Sequence, residues 1–238
     1  MRYINDVTFE VRGDYALFSD PITRVGGEKI SYQIPTYEAV KGILESVYWK
    51  PTIIWVIDEV RVLNQIRTEA KAVRTLSYTK NTPDLSYYTY LKDVAYQVRA
   101  HFEWNMNRPE LEQDRNEGKH FEMAKRMIRK GGRRDVFLGT RECQAYVSPA
   151  VFGEGKGFYD NSGTLSFGLM YHGIIYPDES SERKDMTINF WTPKMTDGII
   201  KYTKPEDCTF RKTVKRENFK SFSIGDNFSV LDESEEGR

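Results

Sequence analysis

The sequence predicts an α+β protein: one larger domain of strands and two helices, followed by a small antiparallel β-sheet domain. Three observations support this prediction. Residues 2–12 and 94–106 alternate apolar and polar side chains, the pattern of a strand with one buried face. Residues 35–50 and 116–130 repeat apolar side chains every three or four positions, the pattern of an amphipathic helix. With 238 residues, of which 39% are hydrophobic, the chain can bury a core of this size.

After the first strand, the predicted elements are a helix and a second strand. Pro35 opens the helix, because its fixed backbone angle suits a first turn, and Lys50-Pro51 closes it. The apolar stripe of this helix is Tyr37, Val40, Leu44 and Val47. Residues 52–63 are rich in β-branched side chains, which predicts a buried strand. The polar, tyrosine-rich residues 64–92 predict an inserted hairpin or loop.

Three further elements complete the larger domain. Residues 94–106 form the clearest strand, with apolar side chains on one face and polar residues such as His101 on the other. The helix at 116–130 ends at Gly131-Gly132, where a left-handed cap is usual, and residues 144–152 return as a strand. The resulting order, strand-helix-strand-strand-helix-strand, is the ferredoxin-like pattern, a frequent platform for RNA binding.

The remaining residues predict the smaller domain. Residues 153–163 are rich in glycine and predict a hinge, which places the larger domain at 1–155 and the smaller one at 156–238. Its antiparallel sheet is expected from three strand-like runs, at residues 167–176, 186–191 and 198–202. The acidic tail at residues 232–236 predicts a frayed terminus.

The composition limits the compartment, the partners and the cofactors that the sequence predicts. Its 35 basic and 35 acidic residues give no net charge, so any contact with nucleic acid has to come from a local excess. Cys143 and Cys208 lie in unrelated contexts and no signal peptide precedes the chain, which predicts reduced thiols in a soluble, cytoplasmic protein. No apolar run reaches transmembrane length. No histidine or carboxylate group has the spacing of metal ligands, so no metal or other cofactor is expected.

The strongest local excess of charge lies in and beside the second helix. Between Arg115 and Arg134, eight Lys or Arg residues stand against two Glu. Such a concentration is typical of a surface that binds phosphates, because Lys and Arg neutralise them and release their counterions. This segment therefore predicts a protein that handles RNA.

A Lys-His pair within this segment suggests RNA cleavage. RNA can be cut without a metal when its own 2′-hydroxyl attacks the adjacent phosphate, which needs a base, an acid and a fixed positive charge. Lys119 supplies the charge and His120 a proton carrier, at the start of a helix whose N–H groups favour anions. The alternative for His120 is an ordinary exposed histidine.

Other side chains admit both a structural and a functional interpretation. The helical spacing of Tyr48 is that of an aromatic residue at the edge of the core. The alternative is that its hydroxyl reaches the substrate and takes part in the reaction, with a neighbour such as Lys119 to lower its pKa. Trp49 is expected to pack rather than to stack on bases. His101 is expected at the surface of its strand, and His172, in an apolar run, is expected to be structural.

Several longer motifs together resemble one known family. They include Gly13-Asp-Tyr-Ala-Leu-Phe18, Gly26-Gly-Glu-Lys29, Tyr48-Trp-Lys-Pro51, Tyr88-Thr-Tyr-Leu-Lys-Asp93, Asp114-Arg-Asn-Glu-Gly-Lys-His120, Gly131-Gly-Arg-Arg-Asp135, Phe137-Leu-Gly-Thr-Arg-Glu-Cys143 and Tyr176-Pro-Asp-Glu179. The family is the fifth group of CRISPR-associated RAMP proteins in its type I-C form, which processes precursor CRISPR RNA. The resemblance covers about residues 3–210.

This resemblance implies a ferredoxin-like (RRM-like, RAMP) domain followed by a small β domain, in agreement with the predicted strands. It also implies cleavage of the repeat RNA at the base of its hairpin, without a metal, that leaves a 5′-hydroxyl and a 2′,3′-cyclic phosphate. The family's active-site tyrosine, lysine and histidine match Tyr48, Lys119 and His120. The tyrosine is then expected to be the base, the histidine the acid and the lysine the stabiliser of phosphate charge, with the first two roles exchangeable.

The expected partners are RNA and the subunits of a larger complex. Family members keep the 5′ handle of the cut RNA and join the other type I-C Cascade subunits around the guide. The chain does not match the aromatic RNP1 strand of an RNA-recognition motif, so it is expected to recognise the shape and phosphates of an A-form stem. The candidate backbone contacts are Arg115, Lys125, Arg126, Arg129, Lys130, Arg133 and Arg134. The same surface is expected to bind duplex DNA weakly. The alternative function is a structural subunit that caps the RNA handle without cutting.

Overall fold

The computed structural model describes residues 5–77, 82–176 and 185–216, so the predicted acidic tail lies outside the described residues, as do residues 177–179 of the last motif. The helices are α1 (Tyr37–Val47) and α2 (Glu117–Lys130). The strands are β1 (Val7–Ala16), β2 (Lys29–Ile30), β3 (Ile53–Val62), β4 (Thr68–Ser77), β5 (Thr82–Trp104), β6 (Val136–Phe137), β7 (Gln144–Pro149), β8 (Thr164–Ser166), β9 (Met170–Ile175), β10 (Asp185–Trp191), β11 (Lys194–Thr196), β12 (Ile199–Lys201) and β13 (Phe210–Arg216). Within these ranges, no helix is long and apolar enough to cross a membrane.

Two sheets organise the described residues. The larger sheet runs in the order β6-β7-β1-β5-β3-β12-β11-β8, with β2 and β4 also paired to β5. At its centre, β1 pairs antiparallel with both β5 and β7, and β3 pairs antiparallel with β5. The smaller sheet has the order β13-β10-β9 and is also antiparallel. The prediction of an α+β fold built on antiparallel sheets is therefore confirmed.

Both helices lie where the apolar spacing predicted them, and each begins at a side-chain cap. The Thr36 hydroxyl accepts a hydrogen bond from the Ala39 N–H at the start of α1. The side-chain amide oxygen Oδ1 of Asn116 accepts one from the backbone N–H of Lys119 at the start of α2. Gly131, with a φ of +87°, ends α2 in the left-handed conformation that glycine adopts without strain. The apolar faces of both helices belong to the same buried cluster as the centre of the larger sheet.

The tyrosine-rich segment forms a hairpin, one of the two predicted alternatives. β4 pairs with the first half of β5, while the second half of β5 runs between β1 and β3. The change occurs at Asp93, whose backbone has a φ of +52°, a conformation that aspartate adopts more readily than most residues. Asn64 donates to the Asp93 carbonyl at 2.9 Å and Arg67 to its carboxylate at 2.8 Å. The hairpin is therefore a continuation of the central strand.

The chain after residue 155 contributes to both sheets, which corrects one detail of the predicted small sheet. The runs at 167–176 and 186–191 correspond to β9 and β10, which pair with each other as expected. The run at 198–202 instead contains β12, which pairs with β3 in the larger sheet, and β13 takes its place in the smaller one. The predicted division at residue 155 therefore does not coincide with the boundary between the sheets, and the division into domains stays a prediction.

The glycine-rich segment predicted as a hinge is anchored to the larger sheet. The side chain of Arg61 is buried, with 5% exposed, and donates to the backbone carbonyls of Glu154 at 3.0 Å and Gly155 at 2.9 Å. The same guanidinium binds both carboxylate oxygens of Asp160 at 2.9 Å. Gln97 adds a bond to the Glu154 carbonyl at 2.8 Å. The structure therefore replaces the hinge with an anchored loop.

Replacing Arg61 with methionine is expected to lower the free energy of unfolding by about 3 kcal/mol, because it removes the buried guanidinium that binds the Gly155 carbonyl and the Asp160 carboxylate. Urea unfolding followed by circular dichroism measures the change. The matched control is Arg67→Met, which removes an ion pair exposed on both sides and is expected to cost less than about 1 kcal/mol. Equal losses in the two variants would contradict the anchoring role of Arg61.

Candidate active site

Tyr48 is positioned by the end of α1. Its N–H donates to the Leu44 carbonyl at 2.7 Å, and the backbone then becomes extended. The indole N–H of Trp55, on β3, donates to the Tyr48 carbonyl at 2.7 Å. These two bonds hold the Tyr48 backbone between the helix and the sheet. The side chain is only 3% exposed, and its hydroxyl contacts His120 on α2.

His120 is fully buried and hydrogen-bonded at both ring nitrogens. Nδ1 lies 2.8 Å from the Tyr48 hydroxyl, and Nε2 lies 2.8 Å from the backbone oxygen of Asp114. A carbonyl oxygen only accepts, so Nε2 carries a proton, and in the neutral ring Nδ1 is then the acceptor for the Tyr48 hydroxyl. The rings of Phe102 and Trp104 pack edge-on against the imidazole. His120 is thus held in the orientation that accepts a proton from Tyr48.

The carboxylate of Asp114 connects this pair to Lys119. Oδ1 forms an ion pair with the Lys119 ammonium, and Oδ2 accepts from the Thr52 hydroxyl at 2.6 Å. Oδ2 also lies 3.4 Å from Nε2 of His120. The bonds from Lys119 and Thr52 lower the pKa of Asp114 to about 2. Asp114 is therefore a carboxylate at neutral pH, in contact with two of the three predicted catalytic residues.

The Tyr48 hydroxyl has an environment opposite to the one considered from the sequence. Burial raises the pKa of Tyr48 to about 12, and the charge of Asp114 acts in the same direction. Lys119, the neighbour that the sequence suggests would lower this pKa, pairs with Asp114 instead. Tyr48 is therefore a neutral phenol at physiological pH, and it can accept a proton only while it releases its own.

Lys119 and His120 contact Asp114, and Tyr48 contacts His120, so the three predicted catalytic residues form one site, but they differ in exposure. The Lys119 side chain is 48% exposed, whereas His120 is 0% exposed. An anion that approaches from solvent therefore meets Lys119 first. The Met123 sulfur, 3.7 Å from the Tyr48 hydroxyl, helps to cover the proton-transfer pair.

A groove of about 920 Å³ is lined by the residues that follow Tyr48 in the chain. Trp49 lines it and is 42% exposed, which corrects the expectation that this side chain packs. The groove also contacts Arg108 and, in the smaller sheet, Asn189. Its walls carry both basic and acidic side chains, so shape and aromatic surface distinguish it more than net charge does.

The predicted RNA contacts have three kinds of environment. Arg115 donates to the backbone carbonyls of Asn105 and Arg108, each at 3.3 Å, and so holds the turn before α2. Lys125 pairs with Glu122 at 3.4 Å. The remaining cations are exposed and have no ion pair among the described residues: Arg126, Arg129, Lys130, Arg133 and Arg134. These last five form the basic surface of the protein.

Two arginines of this basic surface lie beside the candidate site. The backbone N–H groups of Arg133 and Arg134 donate to the backbone carbonyls of Val47 and Ser46, both at 3.1 Å. The chain after α2 therefore runs next to the last residues before Tyr48. Gly132 allows this turn, because its φ is +116° and an added Cβ would meet the Arg134 carbonyl at 3.0 Å.

The two other histidines lie in separate environments. His101, expected at the surface, is buried, and its Nδ1 lies 2.8 Å from the Asp58 carboxylate. The prediction that His101 is exposed is wrong, because the face of β5 that carries His101 is covered as well as the face that carries the apolar side chains. His172 is buried, stacks on Tyr37 and binds the Thr203 carbonyl, as expected of a structural residue. Burial lowers the pKa of His172 to about 4, so it is neutral.

In the described part of the chain, no group of three or more His, Cys, Asp and Glu residues could hold a metal ion.

Sequence analysis does not identify Asp114 or Thr52 as site residues. Asp114 precedes Lys119 by five positions, a spacing of neither a helix nor a strand, and the short turn Pro109–Asp114 brings it to the site. Thr52 comes from the start of β3 on the opposite side. The one available signal was the acidic residue that opens the motif ending at His120.

Comparison with known proteins defines the class of this chain. A model of the family described as CRISPR-associated protein (Cas_Cas5) matches residues 6–203, which is most of the chain. The fold and sequence are therefore those of a CRISPR-associated protein, as the resemblance implied. Within that class, the chain belongs to the Cas5d family.

Curated relatives and solved structures agree with this assignment. Two relatives carry the name CRISPR pre-crRNA endoribonuclease Cas5d. The one from Mannheimia succiniciproducens is 35% identical over 168 residues, which cover 60% of this chain and 72% of the relative. The one from Thermus thermophilus is 33% identical over 153 residues, which cover 59% and 62%. A crystal structure of a CRISPR-associated protein superposes with a TM-score of 0.75 at 36% identity, over 87% of this chain and 96% of that chain. The functionally uncharacterized protein SMU1763c from Streptococcus mutans superposes with a TM-score of 0.74 at 39% identity, over 87% and 97%.

Proposed function

We propose that this protein is an endoribonuclease that cuts precursor CRISPR RNA within its repeat, at the base of the hairpin, without a metal ion. The names of the curated relatives support the substrate and the type of reaction. The observation that carries the proposal is the 2.8 Å contact between the Tyr48 hydroxyl and Nδ1 of His120, near the ammonium of Lys119. A proton path and a cation at one site are what attack by a 2′-hydroxyl requires.

The three residues have separate roles in this reaction. Lys119 binds a non-bridging phosphate oxygen and offsets its charge. Tyr48 accepts the proton of the 2′-hydroxyl while it passes its own proton to Nδ1 of His120. The 2′-oxygen then bonds to phosphorus and the bond to the 5′-oxygen breaks. The 5′-oxygen leaves as a hydroxyl, with the proton returned from the imidazolium through Tyr48, and a 2′,3′-cyclic phosphate remains.

This assignment places Tyr48 and His120 on one proton path. A tyrosine with a pKa of about 12 is a poor base alone, but transfer of its proton to His120 makes the phenol oxygen an acceptor. His120 is buried, so it acts through Tyr48 rather than on RNA directly. RNA binding has to uncover Tyr48, and the flexible side chain of Met123 is the neighbour best suited to move.

The RNA is proposed to extend from the basic surface to the groove. Arg133 and Arg134 lie beside the end of α1 and suit the phosphates of the hairpin stem. The groove with Trp49 suits unpaired nucleotides beyond the stem, since an exposed indole can stack on a base.

We also propose that the centre of the larger sheet is a ferredoxin-like (RRM-like, RAMP) core. The order β7-β1-β5-β3 supports this assignment, because α1 lies between β1 and β3 in the chain and α2 lies between β5 and β7. Residues after 155 then add the strands at the outer edge and the smaller sheet.

The proposed partners follow from the family. After cleavage, the protein keeps the 5′ handle of the RNA and joins the other type I-C Cascade subunits in the cytoplasm. Its basic surface supports a lasting hold on RNA phosphates. The same surface is proposed to bind duplex DNA weakly, with an affinity that falls steeply as salt is added.

Replacing Arg133 and Arg134 together with alanine is expected to weaken binding of the repeat RNA at all salt concentrations. The slope of log Kd against log salt should fall by about one to two units, since each phosphate contact adds about one. Filter binding over a salt series measures this slope. Lys156 and Lys194, exposed on the anchored loop and on β11, form the control pair, and their replacement should leave the slope unchanged. Equal changes in both double variants would show that total charge matters rather than this surface.

A structural subunit that caps the RNA handle is the second candidate function. The burial of Tyr48 and His120 favours it, because a covered pair also suits a purely stabilising role. The candidates differ in whether RNA is cut.

The deciding experiment incubates the purified protein with its repeat RNA in EDTA, beside RNA with one 2′-deoxy sugar at the cut site. The proposed function predicts that the first RNA is cut and the second is bound intact. Tight binding with no cleavage of either RNA would leave the structural role. Cleavage only when a divalent metal is restored would overturn the proposed mechanism.

A further inference from the structure

Asp114 is the residue through which Lys119 and His120 are connected, although no role follows for it from the sequence. Its carboxylate binds the Lys119 ammonium and the Thr52 hydroxyl, and it lies 3.4 Å from Nε2 of His120. Its backbone oxygen accepts the proton on that same nitrogen at 2.8 Å. One residue therefore contacts both the cation and the buried end of the proton path.

The backbone oxygen and the carboxylate of Asp114 act on His120 in different ways. The oxygen keeps the proton on Nε2, so that Nδ1 faces Tyr48 as an acceptor. The carboxylate becomes important when Nδ1 takes up the proton of Tyr48, because the imidazole is then positively charged in a buried place. A negative charge 3.4 Å from Nε2 offsets that positive charge. A base oriented by a third group is the general arrangement of an activated catalytic pair.

The carboxylate also competes with the substrate for Lys119. The ammonium is 48% exposed, and its present anionic partner is Asp114. A phosphate that binds Lys119 draws the ammonium away from Asp114. The carboxylate, still held by Thr52, is then less neutralised and acts more strongly on His120. Binding of the phosphate at one side of Asp114 thus favours proton uptake at the other.

We propose that Asp114 is a positioning residue that couples phosphate binding at Lys119 to proton uptake by His120. The proposal rests on the proposed cleavage by Tyr48, Lys119 and His120. It extends that mechanism by a residue that touches neither the RNA nor the reacting atoms.

Asp114→Asn tests the coupling, because the amide keeps the size of the side chain and removes its charge. Under single-turnover conditions in EDTA, the rate at saturating protein is expected to fall roughly 10- to 100-fold. This loss of rate is smaller than the loss expected when a catalytic histidine is held in the wrong tautomer. In Asp114→Asn the backbone oxygen of residue 114 still keeps the proton on Nε2 of His120. The protein concentration that gives half of the maximal rate is expected to stay unchanged or to fall, because Lys119 no longer has a competing anion.

Two further variants separate coupling from stability and from general charge. Glu117→Gln removes an exposed carboxylate from the first turn of α2 and should leave both parameters within about twofold, as expected for an exposed charge. Thr52→Val keeps the Asp114 charge but removes the hydroxyl that holds it, and should lower the maximal rate by less than Asp114→Asn does. Thermal melting establishes that each variant is folded, and Thr52→Val decides the question if Asp114→Asn does not fold.

The outcomes distinguish this proposal from the proposed function. A lower maximal rate without weaker half-saturation, in Asp114→Asn and to a lesser degree in Thr52→Val, would support the coupling. An unchanged rate in a folded Asp114→Asn protein, beside a wild type that cuts the RNA, would overturn the coupling alone. A rate loss matched by an equal loss of RNA binding would also overturn it. A wild type that leaves the RNA intact in EDTA would overturn the proposed function and the coupling together.

Discussion

Replacement of His120 by alanine is expected to slow cleavage of the repeat RNA by about 10²- to 10⁴-fold, the range that proton transfer by a positioned side chain contributes. Nδ1 of His120 is the acceptor for the proton of Tyr48, and alanine leaves that hydroxyl without an acceptor. RNA binding should change by less than about twofold, because His120 is fully buried and the basic surface is intact. Single-turnover cleavage in EDTA and filter binding measure the two quantities separately.

Stability has to be controlled in this experiment, because His120 fills a buried position between aromatic rings. His120→Gln is the second variant, since its amide retains a donor for the Asp114 carbonyl but is not a base. His101→Gln is the matched control: it changes another buried histidine that contacts a carboxylate, away from Tyr48. Normal cleavage by a folded His120→Gln protein would rule out proton uptake by His120.

Replacement of Tyr48 by phenylalanine is expected to have an effect of similar size, about 10²- to 10⁴-fold on the cleavage rate. The substitution removes only the hydroxyl, which the proposed path places between the 2′-hydroxyl and Nδ1 of His120. The two residues act in series, so their effects should not multiply. The double variant Tyr48→Phe with His120→Ala should cut the RNA at a rate within about threefold of that of the slower single variant. Multiplied effects would instead indicate independent roles, with the base and the acid on opposite sides of the phosphate.

The control for Tyr48→Phe is Tyr202→Phe. Tyr202 is also buried, and its hydroxyl donates to the Pro35 carbonyl at 2.7 Å. Its loss should lower stability by about 1 kcal/mol and leave the cleavage rate of the folded protein unchanged. A rate loss in Tyr202→Phe equal to that in Tyr48→Phe would show that the rate follows stability rather than the site.

These two predictions also separate the candidate functions. A nuclease loses cutting and keeps RNA binding in both variants, whereas a handle-capping subunit has no cutting to lose. The burial of Tyr48 favours the handle-capping subunit, whereas the nuclease requires that RNA binding uncovers the hydroxyl. The wild-type reaction in EDTA therefore has to precede the variants.

Local patterns were enough to predict the secondary structure around the site. The apolar spacing and the flanking Pro35 and Pro51 indicated α1, and the two glycines after residue 130 indicated the end of α2. Alternation failed at His101, because it assumes that one face of a strand is open to solvent. In this fold the second face of β5 is also covered: the anchored loop lies against Gln97, and His101 is buried beside the Asp58 carboxylate of β3.

The sequence alone determined the two helices, the antiparallel strands, the concentration of basic residues in and beside α2 and the family of the chain, because these depend on local spacing, composition and motif. Only the tertiary structure decided that Tyr48 touches Nδ1 of His120, that burial raises the pKa of Tyr48 rather than Lys119 lowering it, and that Asp114 lies between Lys119 and His120. These features depend on contacts between residues as many as 72 positions apart, and on the low polarity of a buried site. Neither a distant contact nor the burial that it produces has a local pattern in the sequence.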